Sequence, residues 1–598
     1  MEARLCLQNR NRSPATANDL YRNDSRSERM TPPDMTQLEI AGPSEISAVC
    51  ILPGEAQAMR PPAASPAMPG RSAESSFAGH LLVFSLANLI SLVCNGVLTF
   101  LLPRWLSMES YGYYRLFILY GGFVGVLHLG LLDGALIRWA ARSRQRMNVE
   151  VRRSLVFLLI QHAVFLVPAM AILLVWFRHQ PWFVLAAAIV LYALVWNAAI
   201  LGQFALQADK SFGLLSAVTV IHPALLLGIV AGLTHWRSLT LEALLGAYLA
   251  AWLAAGVGVW IVLLAKFPGK KFSGESFSGK EEKESFSRKR MTRKRMTSAA
   301  QAWRSGVYNI RVGWSVLVAG LLTNLALSLD RVAVSLSFSI RDFAIYSLAA
   351  TALAVVNTII LSVSRVVFPY LSDGLGAELR IQAYDWGEAT LMSLWALSLA
   401  GYFPLRVLIE HLLPAYQMSL PILRLLMLAT GMTAVIYILH ANYFRSSRRQ
   451  TALLVGASVG LGAAALFLAI ARYSHHLVNM SAAMLAAVAL WWTVDELLLR
   501  RQMVRSPLDI AKTLLFVSAC GGAFLLCAAI SSPGLGALAY CGLAAVLTAA
   551  AYGHTLRSLP HWPTKPRYAI AFARTASENE NENENQNQNQ NQNEDGMR

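Results

Sequence analysis

The sequence predicts an all-α polytopic membrane protein with about 14 transmembrane helices. Of the 598 residues, 55% are hydrophobic and only 14% are charged, whereas an ordinary soluble domain has roughly 25% charged residues. Apolar runs of about twenty residues, the length that crosses a bilayer, recur between residues 80 and 555. Positive charge concentrates in alternate segments between these runs, as expected where cytoplasmic loops retain Lys and Arg.

The apolar runs divide into two groups of six and a final pair. The predicted N-lobe, residues 79–265, has helices near 80–102, 113–137, 154–177, 182–206, 213–233 and 241–265. A basic linker at 266–311 separates it from the predicted C-lobe, residues 312–500. The C-lobe helices lie near 312–334, 343–366, 387–409, 419–443, 451–471 and 479–499. The extra pair, within 501–556, has helices near 511–530 and 534–554.

The two ends of the chain are polar and lack periodicity. Residues 1–78 are rich in Pro, Ser, Asn, Arg and Glu, and residues 557–598 include a run from Glu578 to Glu594 that alternates Glu-Asn and then Gln-Asn. Such compositions bury too little apolar area to fold alone, so both segments are predicted to be disordered tails. The first tail lacks the layout of a cleavable signal peptide, and Met59 or Met68 is the expected start of translation.

The distribution of charge predicts the orientation of the chain. The loops around Arg138, Arg445 and Arg500 and the basic linker carry most of the cations, whereas the opposite loops are short and hold mostly single ones. Both termini are therefore expected in the cytoplasm. The net charge of +17 is better explained by anionic lipid than by nucleic acid, because the cations lie beside the membrane.

Enzyme and metal signatures are weak. The sequence contains no phosphate-binding loop, no His-Glu-x-x-His helix and no Cys-x-x-Cys pair, so no metal or other cofactor is predicted. The segment Gly456–Gly460 fits the Gly-x-Ser-x-Gly pattern, but it lies inside a predicted spanning helix rather than at a strand-to-helix turn. Small residues for close helix packing explain it better, and the protein is predicted not to be an enzyme.

A short repeat relates the two groups of six helices. The segment Leu106–Tyr114 follows the first helix, and Phe338–Tyr346 follows the seventh. When Ser107 is aligned with Ser339, aromatic residues coincide at two further positions. Six helices per repeat give both halves the same orientation, which is the geometry of a parallel repeat.

These segments, together with Phe84–Ser91, Leu129–Ala135 and Asn324–Arg331, resemble the polysaccharide biosynthesis or oligosaccharide flippase family. This is the Wzx-like branch of the multidrug/oligosaccharidyl-lipid/polysaccharide flippase superfamily, and the resemblance covers roughly residues 80–500. It implies two six-helix lobes around a cavity in the bacterial inner (plasma) membrane. It also implies an undecaprenyl pyrophosphate-linked oligosaccharide as substrate, moved by alternating access for lipopolysaccharide or exopolysaccharide synthesis, with membrane lipids, a glycan polymerase and assembly proteins as partners.

A pyrophosphate-linked glycan brings negative charge and hydroxyl groups, which Arg side chains and amides bind. Charges inside spanning helices are costly and therefore indicate function. The candidates for the substrate path are Asp330, Arg331, Arg365, Arg424 and Asn324. The alternative is structural, because side chains near helix ends can reach water or pair with each other.

Asp133 aligns with Arg365 in the repeat, at positions expected to face the cytoplasm. This suggests a salt bridge that closes an inner gate. Four histidines in predicted helices are candidates for a proton relay, although packing through hydrogen bonds is the alternative for each: His128, His162, His222 and His440. The sequence leaves open whether an ion gradient or substrate flux drives transport.

Two other functions remain as alternatives. A cation-coupled multidrug exporter of the same superfamily would need an acidic, aromatic cavity, whereas the charges in the predicted helices are mainly basic. A membrane-embedded glycan polymerase or acyltransferase would usually need a large outer loop or a catalytic His with acidic partners. The short outer loops disfavour such an enzyme.

Overall fold

The computed structural model describes residues 71–140, 144–209, 211–236, 239–266, 298–353, 356, 377–447, 449–503 and 507–558. All regular structure in these residues is helical. Eleven of the described helices are long and apolar enough to cross a membrane, and a bent helix pair makes a twelfth span. The prediction of an all-α polytopic membrane protein is confirmed. Two predicted helices remain. The first has a shorter apolar stretch, Leu89–Trp105, and the eighth, 343–366, lies only partly within the described residues.

The first seven helices correspond to the predicted N-lobe. They are α1 (Arg71–Trp105), α2 (Met108–Gly121), α3 (Leu131–Ala140), α4 (Arg144–Trp176), α5 (Phe183–Ala208), α6 (Phe212–Trp236) and α7 (Leu241–Lys266). Helix α1 begins inside the segment that was predicted to be a tail.

The next helices are α8 (Ser298–Ala326), α9 (Leu329–Ser337), α10 (340–353), α11 (Ala377–Leu399), α12 (Tyr402–Leu412), α13 (Ser419–Val435), α14 (Ala441–Ser446), α15 (Gln450–Ala471) and α16 (Leu477–Met503). A π-helical turn, Ile436–His440, joins α13 to α14. The final pair is α17 (Pro507–Ala528) and α18 (Pro533–Ser558). Helix α8 begins at Ser298 rather than near residue 312, so it extends into the predicted linker.

The aligned repeat segments start their helices in the same way. The Ser107 hydroxyl accepts a hydrogen bond from the Ser110 backbone N–H at 3.1 Å, and the Ser339 hydroxyl accepts one from the Asp342 backbone N–H at 3.2 Å. Such N-caps satisfy backbone donors that the first turn of a helix leaves free. The matching caps support the alignment of Ser107 with Ser339.

Several of the predicted continuous helices are broken, among them the second and the seventh. The second is divided into α2 and α3, with an angle of 62° between its halves, and Leu129 and Gly130 have left-handed φ values of 53° and 88° at the break. The seventh is divided into α8 and α9, where the Ser328 hydroxyl bonds back to the carbonyl of Asn324. Side-chain bonds of this kind compete with the helical ladder.

The apolar core consists of three clusters. One joins α1, α2 and α5–α7, a second joins α3–α7, and the largest joins α9–α18. The first and the largest cluster meet at α2 and α10. Ala344 and Leu348 of α10 belong to the first cluster, and Leu119 of α2 belongs to the largest. Large apolar side chains on the outer faces are exposed, as in Trp236 and Val175, which suits a lipid surface.

Candidate functional site

The candidate site begins with Asp330, a buried carboxylate in the first turn of α9. Its Oδ2 accepts a hydrogen bond from the Tyr346 hydroxyl of α10 at 2.9 Å. Its Oδ1 accepts one from the backbone N–H of Arg331 at 2.7 Å. Because buried charge is stable only when paired or hydrogen-bonded, this carboxylate is held in place and its charge is largely satisfied.

Arg331 lies beside that carboxylate and also stabilises the break between α8 and α9. Its Nε is 3.9 Å from Asp330 Oδ1, and its Nη2 donates to the carbonyl of Leu327 at 3.1 Å. The last carbonyls of a helix lack intrahelical partners, and Arg331 supplies a donor for one of them. The sequence placed Asp330 and Arg331 together but did not predict this break.

Arg115 of α2 is the cation that sequence analysis missed. Its positive charge lies near enough to Arg331, across the interface between the helix groups, for the two guanidinium groups to repel each other, and it lies near Tyr111 and Tyr114. Its Nε is buried without a hydrogen-bond partner. Two guanidinium groups therefore lie near a single carboxylate, Asp330, whose oxygens already accept hydrogen bonds. An anion between the two guanidinium groups would relieve their repulsion.

Arg115 was overlooked because it stands in the first predicted turn of the second helix, where a cation usually reaches the membrane surface. The available signal was its position one helical turn after Tyr111 and Gly112 in the repeat segment. That spacing puts all three residues on one helix face. The structure shows that this face contacts the other helix group.

The α2–α10 seam, defined here as the contact of α2 with α9 and α10, surrounds Arg115. A Cβ atom on Gly112 would lie 2.5 Å from the carbonyl oxygen of Ile340, so glycine permits the close approach. The hydroxyls of Tyr120 and Ser335 are 3.0 Å apart. At the outer edge, Arg341 Nη2 and Glu109 Oε1 form an exposed ion pair at 2.9 Å.

Asn324 also lies at this site, whereas Arg424 does not contact it. Asn324, near the end of α8, donates from Nδ2 to the carbonyl of Gly122 at 3.0 Å. Arg424 of α13 donates from Nε to the Tyr402 hydroxyl at 2.7 Å and lies over that ring. This pairing within the second helix group is consistent with a packing role. The remaining candidate, Arg365, lies outside the described residues.

A second contact, the α3–α8 seam, lies at the other end of the broken span and is defined by α3 and α4 against the first half of α8. Cβ atoms on Gly134 and Gly313 would overlap backbone atoms of the opposite helix, so the helices touch through their main chains. Arg138 completes the seam by pairing with Glu150 Oε1 at 3.3 Å and donating to the Asn309 side chain.

Asp133 lies at the edge of this seam, and its Oδ2 is 4.0 Å from His128 Nε2. The proposed gate between Asp133 and Arg365 stays a prediction, because Arg365 is outside the described part of the chain. The contacts seen at this end instead use Arg138, which sequence analysis had treated only as an orientation signal. Helix α8 connects the two seams, from Asn309 at one to Asn324 at the other.

The segment Gly456–Gly460 lies inside α15, as predicted. A Cβ atom on Gly456 would overlap the Asp495 carboxylate, and one on Gly460 would overlap the Trp491 ring. Both glycines therefore make room for side chains of α16. No group of His, Cys, Asp and Glu suited to a metal ion occurs in the described residues.

Comparisons with known proteins concern the fold. No protein-family model matches the chain, and no curated protein matches it. Among solved structures, it is similar to the lipid II flippase MurJ in an inward closed conformation, with a TM-score of 0.55 and 10% identity, covering 79% of this chain and 100% of that one. An inward-facing multidrug resistance MATE family transporter of the MOP superfamily gives a TM-score of 0.48 and 14% identity, covering 70% and 94%. The chain therefore shares the helix arrangement of the MurJ structure.

Proposed function

We propose that this protein is a flippase that moves a lipid-linked oligosaccharide across the bacterial inner membrane by alternating access. The observation that carries the proposal is the pair of mutually repelling cations Arg115 and Arg331, with Arg115 Nε unpartnered. Holding two half-buried cations inside a membrane protein is costly and indicates a functional role. A pyrophosphate group offers the charge and the several oxygens that two guanidinium groups can bind.

The two seams support the alternating-access part of the proposal. The α2–α10 seam ends in the exposed Glu109–Arg341 pair, and exposed pairs contribute little to stability. The α3–α8 seam depends on glycine contacts and on Arg138. Opening one seam while the other stays closed would expose the arginines to one side of the membrane at a time. The solved structure described above as similar at a TM-score of 0.55 is itself a lipid II flippase.

A cation-coupled multidrug exporter is the second candidate, and the buried Asp330 is the observation that favours it. A cationic drug would need a free carboxylate, however, and Asp330 already accepts hydrogen bonds from Tyr346 and from the Arg331 backbone. The surplus of positive charge at the site favours an anionic substrate. A membrane-embedded polymerase or acyltransferase is a weaker alternative, since the similar solved structures are a flippase and transporters.

Deletion of the gene tests the proposal, with extraction of lipid-linked oligosaccharides and measurement of surface polysaccharide. We expect surface glycan to disappear while complete lipid-linked units accumulate, because the later polymerase and assembly proteins would receive no substrate. Normal surface glycan together with greater sensitivity to cationic drugs would replace the flippase with the exporter. Re-expression of the intact chain is the control for effects on neighbouring genes.

A further inference from the structure

His440, at the end of the π-helical turn, is fully buried between two carboxylates. Its Nδ1 is 3.5 Å from Asp495 Oδ2, and its Nε2 is 3.2 Å from Glu496 Oε1. The side chains of His440, Asp495 and Glu496 are 0%, 2% and 1% exposed. The Tyr384 hydroxyl of α11 lies 3.0 Å from His440 Nε2 and donates to Glu496. This cluster belongs to neither seam.

One hydrogen bond between the imidazole and the carboxylates can form only when the cluster binds one more proton. A neutral imidazole has one N–H and one lone pair. If Nε2 carries the hydrogen, the Nδ1 lone pair faces Asp495; if Nδ1 carries it, the Nε2 lone pair faces Glu496. With the Tyr384 hydroxyl donating to Glu496, either tautomer sets a lone pair against a carboxylate oxygen, and one added proton removes the conflict. Consistent with this, His440 Nδ1 is buried without a hydrogen-bond partner.

The surrounding residues show which other charges face the cluster. The ring of Tyr443 packs against Tyr384, and Gly456 of α15 lies over Asp495. One turn before Tyr384 on α11, Arg380 donates to Ser447 at 3.5 Å. One turn after it, Glu388 accepts from Thr513 of α17 at 3.0 Å. Among the described side chains, the titratable groups that meet at His440 are thus Tyr384, Asp495 and Glu496.

We propose that His440, Asp495 and Glu496 form a proton-binding site that couples a proton gradient to transport, an inference that rests on the transport function proposed above. The proton binds between the imidazole and the carboxylates and is released from the same atoms. The π-helical turn supports this role, because such turns occur frequently at functional sites. His440 is under two helical turns from the end of α14 at Ser446, a short path to water.

The position of α16 links this site to the candidate substrate site. Asp495 and Glu496 lie on α16, which also packs against α9, the helix that carries Arg331. One turn before Asp495, Trp491 lines a small apolar cavity together with Ala326, the last residue of α8. A change of charge at His440 can therefore displace α16 toward or away from the α8–α9 break.

Fluorescence of Trp492 tests proton binding without any substrate. Its ring centroid is 6.5 Å from that of His440, and a protonated imidazole quenches a neighbouring indole. The purified protein is titrated in detergent, and the signal of a Trp492→Phe variant is subtracted. We expect a single quenching transition between about pH 5 and 9, the range in which His titrates in proteins.

Two variants and one control decide the result. His440→Gln should abolish the transition, and Glu496→Gln, which keeps the shape of the side chain, should move it to lower pH by about one unit because an anionic neighbour is lost. His222→Gln is the matched control, since His222 is a half-buried histidine that packs on Trp252, and it should leave the transition unchanged. A flat Trp492 signal, or an unchanged transition in Glu496→Gln, overturns the proposal.

Coupling is tested in proteoliposomes with a labelled undecaprenyl pyrophosphate-linked oligosaccharide. For the unmodified protein, an imposed pH gradient should raise the transport rate several-fold over the rate at equal pH. In His440→Gln the ratio of these rates should fall to about one, while His222→Gln keeps the normal ratio. If the unmodified protein transports nothing under either condition, the proposed function fails, and the fluorescence titration still decides whether protons bind. An unchanged ratio in His440→Gln overturns the coupling.

Discussion

Arg115 and Arg331 carry the main functional argument at the scale of single residues. Arg331 is partly neutralised by Asp330 and donates to a free helix carbonyl. Arg115 forms no ion pair within the described part of the chain and has a buried, unpartnered Nε. The protein thus holds an arginine with one buried N–H donor that no described group accepts.

Replacing either arginine should weaken the binding of an anionic lipid. A charge-assisted hydrogen bond contributes about 1.5–3 kcal/mol, so Arg115→Gln or Arg331→Gln should raise the Kd for undecaprenyl pyrophosphate by roughly tenfold or more. Arg104→Gln is the control, because Arg104 is exposed in the last turn of α1. Titration calorimetry in detergent measures the affinity. An equal loss in Arg104→Gln, or no loss in the other two, would contradict the assignment.

Gly134 provides a second test at this scale. A Cβ atom there would overlap the carbonyl of Asn309, so Gly134→Ala should push α3 and α8 apart and lower the melting temperature in detergent by several degrees. Gly246→Ala in α7 is the matched control, because nothing lies within 4 Å of the added atom. Alanine is favoured over glycine in a helix by about 1 kcal/mol, so the control should be as stable as the original. A Gly134→Ala variant as stable as the original would show that α3 and α8 do not pack this closely in the α3–α8 seam.

At the scale of elements, the breaks within spans organise both contacts between the helix groups. Continuous apolar runs predicted unbroken helices near 113–137 and 312–334. Local propensity does not reveal the α2–α3 break, because Leu129 adopts a left-handed φ of 53° that is rare for a leucine. The close packing of α8 against Gly130 stabilises this conformation. Because α8 is distant in the sequence, no local pattern of residues reveals that contact.

Locking the outer edge of the α2–α10 seam should stop transport. The pair Glu109→Cys and Arg341→Cys, in a chain whose native cysteines are replaced by alanine, should react with a short reducible thiol crosslinker, since the native side chains touch at 2.9 Å. Crosslinking should reduce transport in proteoliposomes to background, and reduction should restore it. Each single cysteine variant, treated identically, should remain active. Full activity after complete crosslinking would exclude opening of this seam.

At the scale of the whole molecule, the arrangement of spans determines which ends of the helices meet each compartment. The loop after α4 contains Arg178, which is exposed, and α18 ends beside the exposed Arg557. The positive-inside pattern assigns these two positions to opposite sides. The predicted cytoplasmic location of both termini depends on this assignment.

Labelling of single cysteines in intact cells tests the orientation. A membrane-impermeant maleimide should label Arg178→Cys from outside and should label Arg557→Cys only after the cells are permeabilised. Both variants are made in the cysteine-free chain, whose lack of labelling is the control. The reverse pattern would invert the topology and would place the His440 cluster near the outside.

The sequence alone determined the fold class and most helix bounds, because the thickness of a bilayer sets the length of each apolar run and backbone groups in lipid must bond within helices. It also identified Asn324, Asp330 and Arg331, which the structure places around one break. The tertiary structure decided which distant side chains face each other: Arg115 with Arg331, Tyr346 with Asp330, Arg138 with Asn309, and His440 with Asp495 and Glu496. Such pairings depend on the rotation and packing of whole helices, and no local pattern of residues specifies either.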